Sequence, residues 1–301
     1  MPTPSLSAVP PQVWAGALAL LLGACGAAVG VATGRLVPLF GAVAPVPTPV
    51  PATRTGEAPP GPGEGGEDGE GPPPPRCPHC RTELPFVRGL PAVAAPAFRR
   101  RGVCPHCAAT VRPHGGVVAA TAVLFALTGA LALLRADASP SAVLAVLWLV
   151  AVGVPLSAVD LRVMRLPDAI VAPAYPVAAL FIGGAVLTAP GGPDLAAAGD
   201  ALVSMVLIAV LLWLMWWIHP RGMGFGDVKL SGLTGLYAGW AAGPFGALAS
   251  VFWAFTAFCL VAVAFVALRR RSRRDPFPLG PFLLAAALAT VLVGSPLVPQ
   301  P

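Results

Sequence analysis

Residues 222–230 read GMGFGDVKL and place Asp227 among three glycines, between two long apolar segments. The apolar run before them covers residues 201–218, and the run after them covers residues 230–245. A carboxylate at or near a bilayer is costly, so a residue of this kind is considered first as a functional group. Glycines let the backbone adopt conformations closed to other residues and approach a ligand closely. The pattern predicts a functional carboxylate at a break between two membrane segments.

The composition outside this stretch is that of a polytopic membrane protein. The chain has 301 residues, of which 56% are hydrophobic and 11% are charged, and no soluble domain needs so many apolar runs of membrane-spanning length. We predict an all-α fold with about eight transmembrane helices. They cover residues 13–33, 115–134, 140–159, 169–189, 200–218, 230–245, 246–268 and 279–297. The first resembles a signal peptide in length, but we favour a retained membrane anchor.

The distribution of basic residues among the loops predicts how these segments are oriented in the membrane. Of the 19 Lys and Arg residues, all but Arg135 fall in segments predicted to lie on one side of the membrane. Positive charge concentrates on the cytoplasmic side, so eight spans place both termini outside a cell (inner or plasma) membrane and Asp227 at the cytoplasmic face. The net charge of +6 suits contact with anionic lipid headgroups. The positions of the charges argue against a nucleic-acid partner.

The chain divides into four predicted units. Residues 1–34 form the first transmembrane segment, and residues 113–301 form the main membrane-embedded domain. Residues 35–75 are rich in Pro, Gly and Glu, which predicts a disordered linker. Residues 76–112 form a small cytoplasmic module in the first loop, too short to hold a core unaided.

This module carries two CPHC knuckles separated by 23 residues. Their cysteines are Cys77, Cys80, Cys104 and Cys107. Two CxxC pairs at about this separation predict a tetrahedral four-thiolate zinc site and a zinc-ribbon-like module. In a reducing cytoplasm a metal is favoured over two disulfides, and a redox role is the alternative. His79 and His106 could replace a thiolate, but the duplicated CxxC favours the four cysteines as the structural metal site.

Two further carboxylates lie at the predicted membrane boundary that holds Asp227. Asp160 ends one apolar span, and Asp168 opens the next span after Leu166 and Pro167. The simpler interpretation of Asp168 is a helix N-cap, a position that Asp fills well. For Asp160 it is an ion pair with Arg162 or Arg165.

Asp227 has a simpler interpretation too, an ion pair with Lys229 or Arg221, although such a pair leaves the glycines unexplained. Two carboxylates that share a site divide into an ionised base and a proton donor, which is what activation of water against a peptide carbonyl requires. We therefore predict that Asp227 is half of a catalytic pair whose partner lies within residues 160–168. No Ser/His/Asp or Cys/His arrangement competes with it.

Taken together, these residues resemble the prepilin peptidases, or type IV leader peptidases, which are membrane aspartic proteases of the GxGD type. The resemblance rests on Asp160 with Pro167 and Asp168 after it, on the GMGFGDVKL stretch, and on the paired CxxC knuckles. Residues 276–282, PFPLGPF, also resemble the family's motif at the start of its last helix. The resemblance covers most of residues 76–293.

The resemblance implies a catalytic pair formed by Asp160 and Asp227. It also implies a supporting loop around this pair, made of Gly222, Gly224, Gly226, Asp168 and Lys229. The implied activity is cleavage of the leader peptide of type IV prepilins or pseudopilins for pilus or type II secretion systems, at the cytoplasmic membrane boundary. Many members also methylate the new N-terminus with S-adenosylmethionine, but residues 112–118 of this chain, RPHGGVV, depart from the family's usual stretch. The alternatives are a small-solute or ion transporter and a non-catalytic membrane assembly component.

Overall fold

A computed structural model describes residues 11–41, 74–87, 92–134, 139–220, 223–268 and 277–294. The described residues form α-helices joined by short loops. The helices are α1 (Pro11–Gly34), a 3-10 helix (Val37–Phe40), α2 (Pro96–Arg101), α3 (Gly115–Leu134), α4 (Pro140–Val163), α5 (Asp168–Leu187), α6 (Leu195–Ile218), α7 (Phe225–Ala267) and α8 (Gly280–Val293).

Six of these helices are long and apolar enough to cross a membrane, namely α1, α3, α4, α5, α6 and α7, and α8 is a shorter apolar helix. This confirms the prediction of an all-α polytopic membrane protein. The segments predicted at residues 230–245 and 246–268 both lie on α7, which is continuous except for one break.

The break in α7 divides it into two membrane segments. A helix of 43 residues is about 65 Å long, twice the roughly 30 Å of a bilayer's hydrocarbon core. The backbone leaves helical geometry at Ala242 (φ −147°, ψ 15°) and Gly243 (φ 68°, ψ −179°). Past the break, the rings of Phe258 and Phe265 pack on Phe277, just before α8, with centroids 5.6 and 5.8 Å away. The second half of α7 therefore ends beside the start of α8.

Glycines allow α6 and α7 to pack closely. Gly235 and Gly239 of α7 are four residues apart, the small-xxx-small spacing that brings membrane helices together. A Cβ at Gly235 would lie 3.0 Å from the Cβ of Ile208, and one at Gly239 would overlap the side chain of Ser204. These two glycines set the distance between the helices.

Polar side chains join α4 to its neighbours. The hydroxyl of Tyr237 in α7 donates to the carbonyl of Ala145 in α4 at 2.8 Å. The indole N–H of Trp148 in α4 donates to the carbonyl of Ala174 in α5 at 3.1 Å. Tyr237 is fully buried, so its hydroxyl needs this acceptor. The two bonds hold α4 between α5 and α7.

The cysteine module rests on the end of α1. Its backbone pairs at three isolated bridges: Arg76 with Glu83, Phe86 with Val93, and Val103 with Thr110. The amide of Arg76 donates to the carbonyl of Leu39 in the 3-10 helix at 3.0 Å, and the ring of Phe40 stacks on Phe86. Most of the predicted linker, residues 42–73, lies outside the described residues, whereas residues 37–40 form the buried 3-10 helix.

Candidate active site

Asp160 and Asp227 both lie where a membrane-spanning helix meets a loop. Asp160 occupies the last turn of α4, and Asp227 occupies the first turn of α7. Asp160 is 4% exposed and Asp227 is 9% exposed. Burying a carboxylate costs free energy unless the group is paired, so a buried carboxylate in a membrane protein points to a function.

The structure brings these two carboxylates together at the start of α8. The backbone N–H of Gly280 donates to Oδ2 of Asp160 at 3.2 Å. A Cβ on Gly280 would lie 2.7 Å from Oδ2 of Asp160 and 3.5 Å from Oδ1 of Asp227. Oδ2 of Asp160 and Oδ1 of Asp227 are therefore no more than about 6 Å apart, close enough for their charges to interact. The three helix ends, of α4, α7 and α8, form one buried acidic site.

Oδ1 of Asp227 is buried and has no hydrogen-bond partner among the described residues. Buried polar atoms in folded proteins are normally satisfied, so an exception asks for an explanation such as a catalytic role or a bound water. This oxygen faces the space beside Gly280 and Asp160. It is suited to exchange a proton with water or a substrate carbonyl.

The interpretation of Asp168 as an N-cap is wrong. Asp168 is the first residue of α5, Pro167 is the cap, and no side chain caps this helix. Both carboxylate oxygens of Asp168 instead accept from Nζ of Lys229 at 2.7 Å. The predicted alternative of an ion pair between Asp227 and Lys229 is not observed, because Lys229 pairs with Asp168. Its Nζ also lies 5.2 Å from the ring centroid of Phe225.

The glycines of the GMGFGD stretch allow the loop after α4 to approach α7. Gly224 is the N-cap residue of α7. A Cβ at Gly226 would lie 3.1 Å from the Cβ of Leu166 and 3.3 Å from its backbone nitrogen, so a larger residue would push the loops apart. The third predicted glycine, Gly222, lies outside the described residues, as does Arg221.

A cavity of about 630 Å³ opens beside this loop. It is lined by Met164, Arg165, Leu166, Asp168, Trp216, Pro220, Met223, Gly224, Phe225, Gly226 and Lys229. Its wall combines apolar side chains with the Asp168–Lys229 pair. Gly226, which lines the cavity, directly precedes Asp227 in the chain. Four of the five predicted supporting residues, Gly224, Gly226, Asp168 and Lys229, line this cavity, which is large enough for a peptide segment.

The contact of Gly280 with the acid pair is what sequence reasoning did not find. Residues 276–282 resemble a family motif, but nothing in the motif indicates which of its residues meets the acids. Its only signal was a glycine followed by Pro281 at the start of an apolar segment.

The second site is the cysteine cluster. The sulfur atoms of Cys77, Cys80, Cys104 and Cys107 all lie within 4.8 Å of one another. The Cys77–Cys107 and Cys80–Cys104 separations are 3.9 and 3.8 Å. A disulfide needs about 2.05 Å, whereas four thiolates at about 2.3 Å from one tetrahedral ion are about 3.8 Å apart. The cluster can hold a metal ion.

The two knuckles present these sulfurs through the same backbone turn. The amide of Arg81 donates to the carbonyl of Cys77, and that of Ala108 to the carbonyl of Cys104, at 2.9 and 3.0 Å. Arg81 and Ala108 both adopt positive φ, at 60° and 56°. Burial raises the pKa of the Cys77 thiol, whereas hydrogen bonds with Thr82 lower that of Cys80 to about 6. A bound cation favours the thiolate form of every ligand.

Comparison with known proteins bears on the acid pair. A model of the type IV leader peptidase family matches residues 142–266, which include Asp160, Asp168 and Asp227. The chain is 29% identical over 224 residues to a prepilin leader peptidase/N-methyltransferase from Aeromonas hydrophila, covering 72% of this chain and 71% of the relative. No solved structure matches the chain.

Two further relatives carry the same name. One, from Burkholderia pseudomallei (strain K96243), is 30% identical over 228 residues, which cover 73% of this chain and 67% of that protein. Another, from Aeromonas salmonicida, is 31% identical over 156 residues, half of each chain.

Proposed function

This chain belongs to the type IV leader peptidase family, and we propose that its Asp160 and Asp227 are the acid pair that hydrolyses the leader peptide of a prepilin or pseudopilin. The observation that carries the proposal is the convergence of two buried carboxylates on Gly280, with Oδ1 of Asp227 left without a partner. The relatives are named for leader cleavage of prepilins.

The reaction needs one ionised carboxylate and one protonated carboxyl. The ionised carboxylate takes a proton from water as the water oxygen bonds to the scissile carbonyl carbon, and the protonated carboxyl gives its proton to the carbonyl oxygen. In the resulting gem-diol the C–N bond breaks as the amine nitrogen takes the proton held by the first carboxylate. One gem-diol hydroxyl returns a proton to the second carboxylate and becomes the carbonyl of the product acid, which restores the pair to its starting state. One water is consumed, and an acid and an amine are formed.

The position of the pair suits a substrate that enters from the membrane. Helix ends at one boundary place the acids where a substrate's apolar helix meets its polar leader. We infer that this boundary is the cytoplasmic face of the cell (inner) membrane, with both termini outside, because nearly all basic residues fall on that side. The basic loops contact anionic lipid headgroups, and no nucleic acid takes part.

We assign the cysteine cluster to zinc, because four thiolates at these separations fit that ion. Cys77, Cys80, Cys104 and Cys107 would hold it, and four protein ligands leave no open position for water. Its contribution is therefore the folding of residues 76–112.

The names of the relatives motivate a second activity, methylation of the new N-terminus with S-adenosylmethionine as the methyl donor. This chain departs from the family's usual sequence at residues 112–118 and has no acidic residue there. Mass spectrometry of the cleaved product distinguishes cleavage alone from cleavage followed by methylation.

The test is cleavage of a co-expressed pilin precursor by the wild type, Asp160→Asn and Asp227→Asn, with mass spectrometry of the product's N-terminus. Asn keeps the shape but loses the titratable proton, so each variant is expected to lose cleavage by about 10³-fold or more. Asp194→Asn is the matched control, because Asp194 caps α6 by accepting from Ala197 and Asn caps helices equally well.

Full cleavage by either variant at wild-type protein level would refute the acid pair. A product mass greater by one methyl group would establish the second activity, and an unmodified product would restrict this chain to the peptidase reaction.

A further inference from the structure

The last helix begins against the acid pair, and the reaction above gives it no role. Gly280 is the first residue of α8. The first N–H groups of a helix have no acceptor within it, and here the N–H of Gly280 donates to Oδ2 of Asp160. The carboxylate therefore satisfies a backbone donor of a helix 120 residues further along the chain.

Position 280 needs a glycine for space and not for backbone conformation. Its φ is not among the positive values of this chain, and the residue is helical. A Cβ there would lie 2.7 Å from Oδ2 and 3.4 Å from Cγ of Asp160. Real Cβ atoms essentially never approach other heavy atoms to less than 3.0 Å, so a side chain would displace the carboxylate or the helix.

The same space adjoins the other acid. The Cβ position at Gly280 is 3.5 Å from Oδ1 of Asp227, the oxygen that has no partner among the described residues. Catalysis by an acid pair requires a reacting atom about 3 Å from both groups. A methyl group at position 280 would fill part of the volume that this atom needs.

We propose that Gly280 is a positioning residue for the acid pair, a role that rests on the proposed function of Asp160 and Asp227. Its N–H fixes the Asp160 carboxylate, and its lack of a side chain keeps the space between the two acids open for water and the scissile carbonyl.

The main alternative is that Gly280 only lets α8 pack, as other glycines do in this chain. Gly153 of α4 faces α8, and a Cβ there would lie 3.2 Å from the flexible end of Leu284. Gly183 of α5 faces open space. Gly153→Ala and Gly183→Ala are therefore matched controls, one at the α8 interface and one outside any contact.

The first experiment compares Gly280→Ala with these controls in steady-state cleavage of a pilin precursor by the full chain. We expect kcat to fall by about 100-fold or more, with KM within about 3-fold of wild type, because precise placement of reacting groups affects the bound transition state. The unfolding temperature is expected to fall by no more than about 4 °C, and both controls are expected to keep their kcat.

The second experiment tests the contact between Gly280 and Asp160 through protein stability, without an activity measurement. Asp160→Ala removes the carboxylate that a side chain at position 280 would meet, so any fall in unfolding temperature caused by Gly280→Ala should vanish in the Asp160→Ala background. If wild type fails to cleave any precursor, the proposed function fails, and this cycle still tests the contact.

Each outcome decides the proposal. Loss of kcat together with the coupling supports it, and so does a Gly280→Ala chain that folds only in the Asp160→Ala background. Retained kcat overturns it, as does a fall in unfolding temperature that persists undiminished in the Asp160→Ala background. Misfolding in both backgrounds would also overturn it, because it would assign the glycine a purely structural role.

Discussion

Asp160 and Asp227 differ in what surrounds their oxygens. Asp160 accepts a backbone N–H at a helix start, where the positive end of the helix dipole favours a carboxylate. Oδ1 of Asp227 has no such donor among the described residues. The cation next to Asp227 in the chain, Lys229, is engaged with Asp168. The pair is thus left available for proton exchange and is not neutralised by that lysine.

The Asp168–Lys229 ion pair tethers the loop after α4 to the first turn of α7. The side chains are 51% and 37% exposed, so we expect Asp168→Asn and Lys229→Gln each to change the free energy of unfolding by less than about 1 kcal/mol. We expect kcat/KM to fall by about 10-fold or more, because the loop that carries Asp227 loses a restraint.

Denaturant unfolding and cleavage kinetics of both variants, with Lys229→Arg as the charge-keeping control, measure these two effects. Unchanged kinetics would show that the pair has no part in positioning Asp227.

At the scale of elements, α7 carries both Asp227, in its first turn, and the break that returns the chain toward it. Gly243 has φ 68° and ψ −179°, a region occupied almost only by glycine. The sequence Ala242-Gly243-Pro244 breaks the helix because Pro244 also lacks an N–H. This break directs the second half of α7 back toward α8, so that Gly280 meets Asp160.

Gly243→Ala is expected to destabilise the protein by about 1–3 kcal/mol, because the native backbone angles are strained for alanine. Thermal unfolding of the purified chain measures this, with Gly199→Ala as the control, since a Cβ at Gly199 meets nothing within 4 Å. An unfolding temperature equal to that of the control would contradict the assigned strain.

The α6–α7 contact gives a second prediction at this scale. A Cβ at Gly239 would overlap Ser204 and lie 2.7 Å from the carbonyl oxygen of Asp200. Because that oxygen belongs to the backbone, it cannot rotate away, and we expect Gly239→Ala to cost about 1–3 kcal/mol as overpacking. Thermal unfolding of Gly239→Ala, compared with that of Gly199→Ala, measures this destabilisation. A loss no larger than the control's would mean that the two helices separate without strain.

In the whole molecule, the cysteine module and the membrane helices are connected through the end of α1. Gly34, at the end of α1, accepts from the amide of His114 just before α3, and the 3-10 helix that follows α1 is packed against the module. The buried apolar residues of the module and of α4 belong to one continuous cluster. The acids and the cysteines nevertheless sit on separate elements.

Removal of the proposed zinc is therefore expected to unfold the module and to leave the acid pair assembled. We expect Cys77→Ser/Cys104→Ser to lose the metal and to become sensitive to protease within residues 76–112, while kcat for leader cleavage falls by less than about 10-fold, because closed coordination gives the metal no reacting position. The metal should also leave as pH falls, since its thiolates take up protons.

Elemental analysis, limited proteolysis and kinetics measure these effects. Loss of all cleavage in a chain that retains folded membrane helices would contradict the separation of the two sites.

The membrane segments and the cysteine knuckles followed from the sequence, because apolar runs and CxxC spacing are local patterns. The orientation drawn from the basic loops stays a prediction. Asp227 could be singled out for the same reason: its glycines and its flanking apolar runs are neighbours in the chain. The predicted boundary at residue 245 is close to the observed break at Gly243, since Gly and Pro mark such breaks.

What only the tertiary structure decided is which groups meet across long separations. The Asp168–Lys229 pair joins residues 61 apart, and the Gly280–Asp160 bond joins residues 120 apart. The N-cap interpretation of Asp168 was wrong for this reason: its cation lies on another helix. No local pattern encodes such a pairing, because it depends on how the helix ends are placed by packing of α4, α7 and α8.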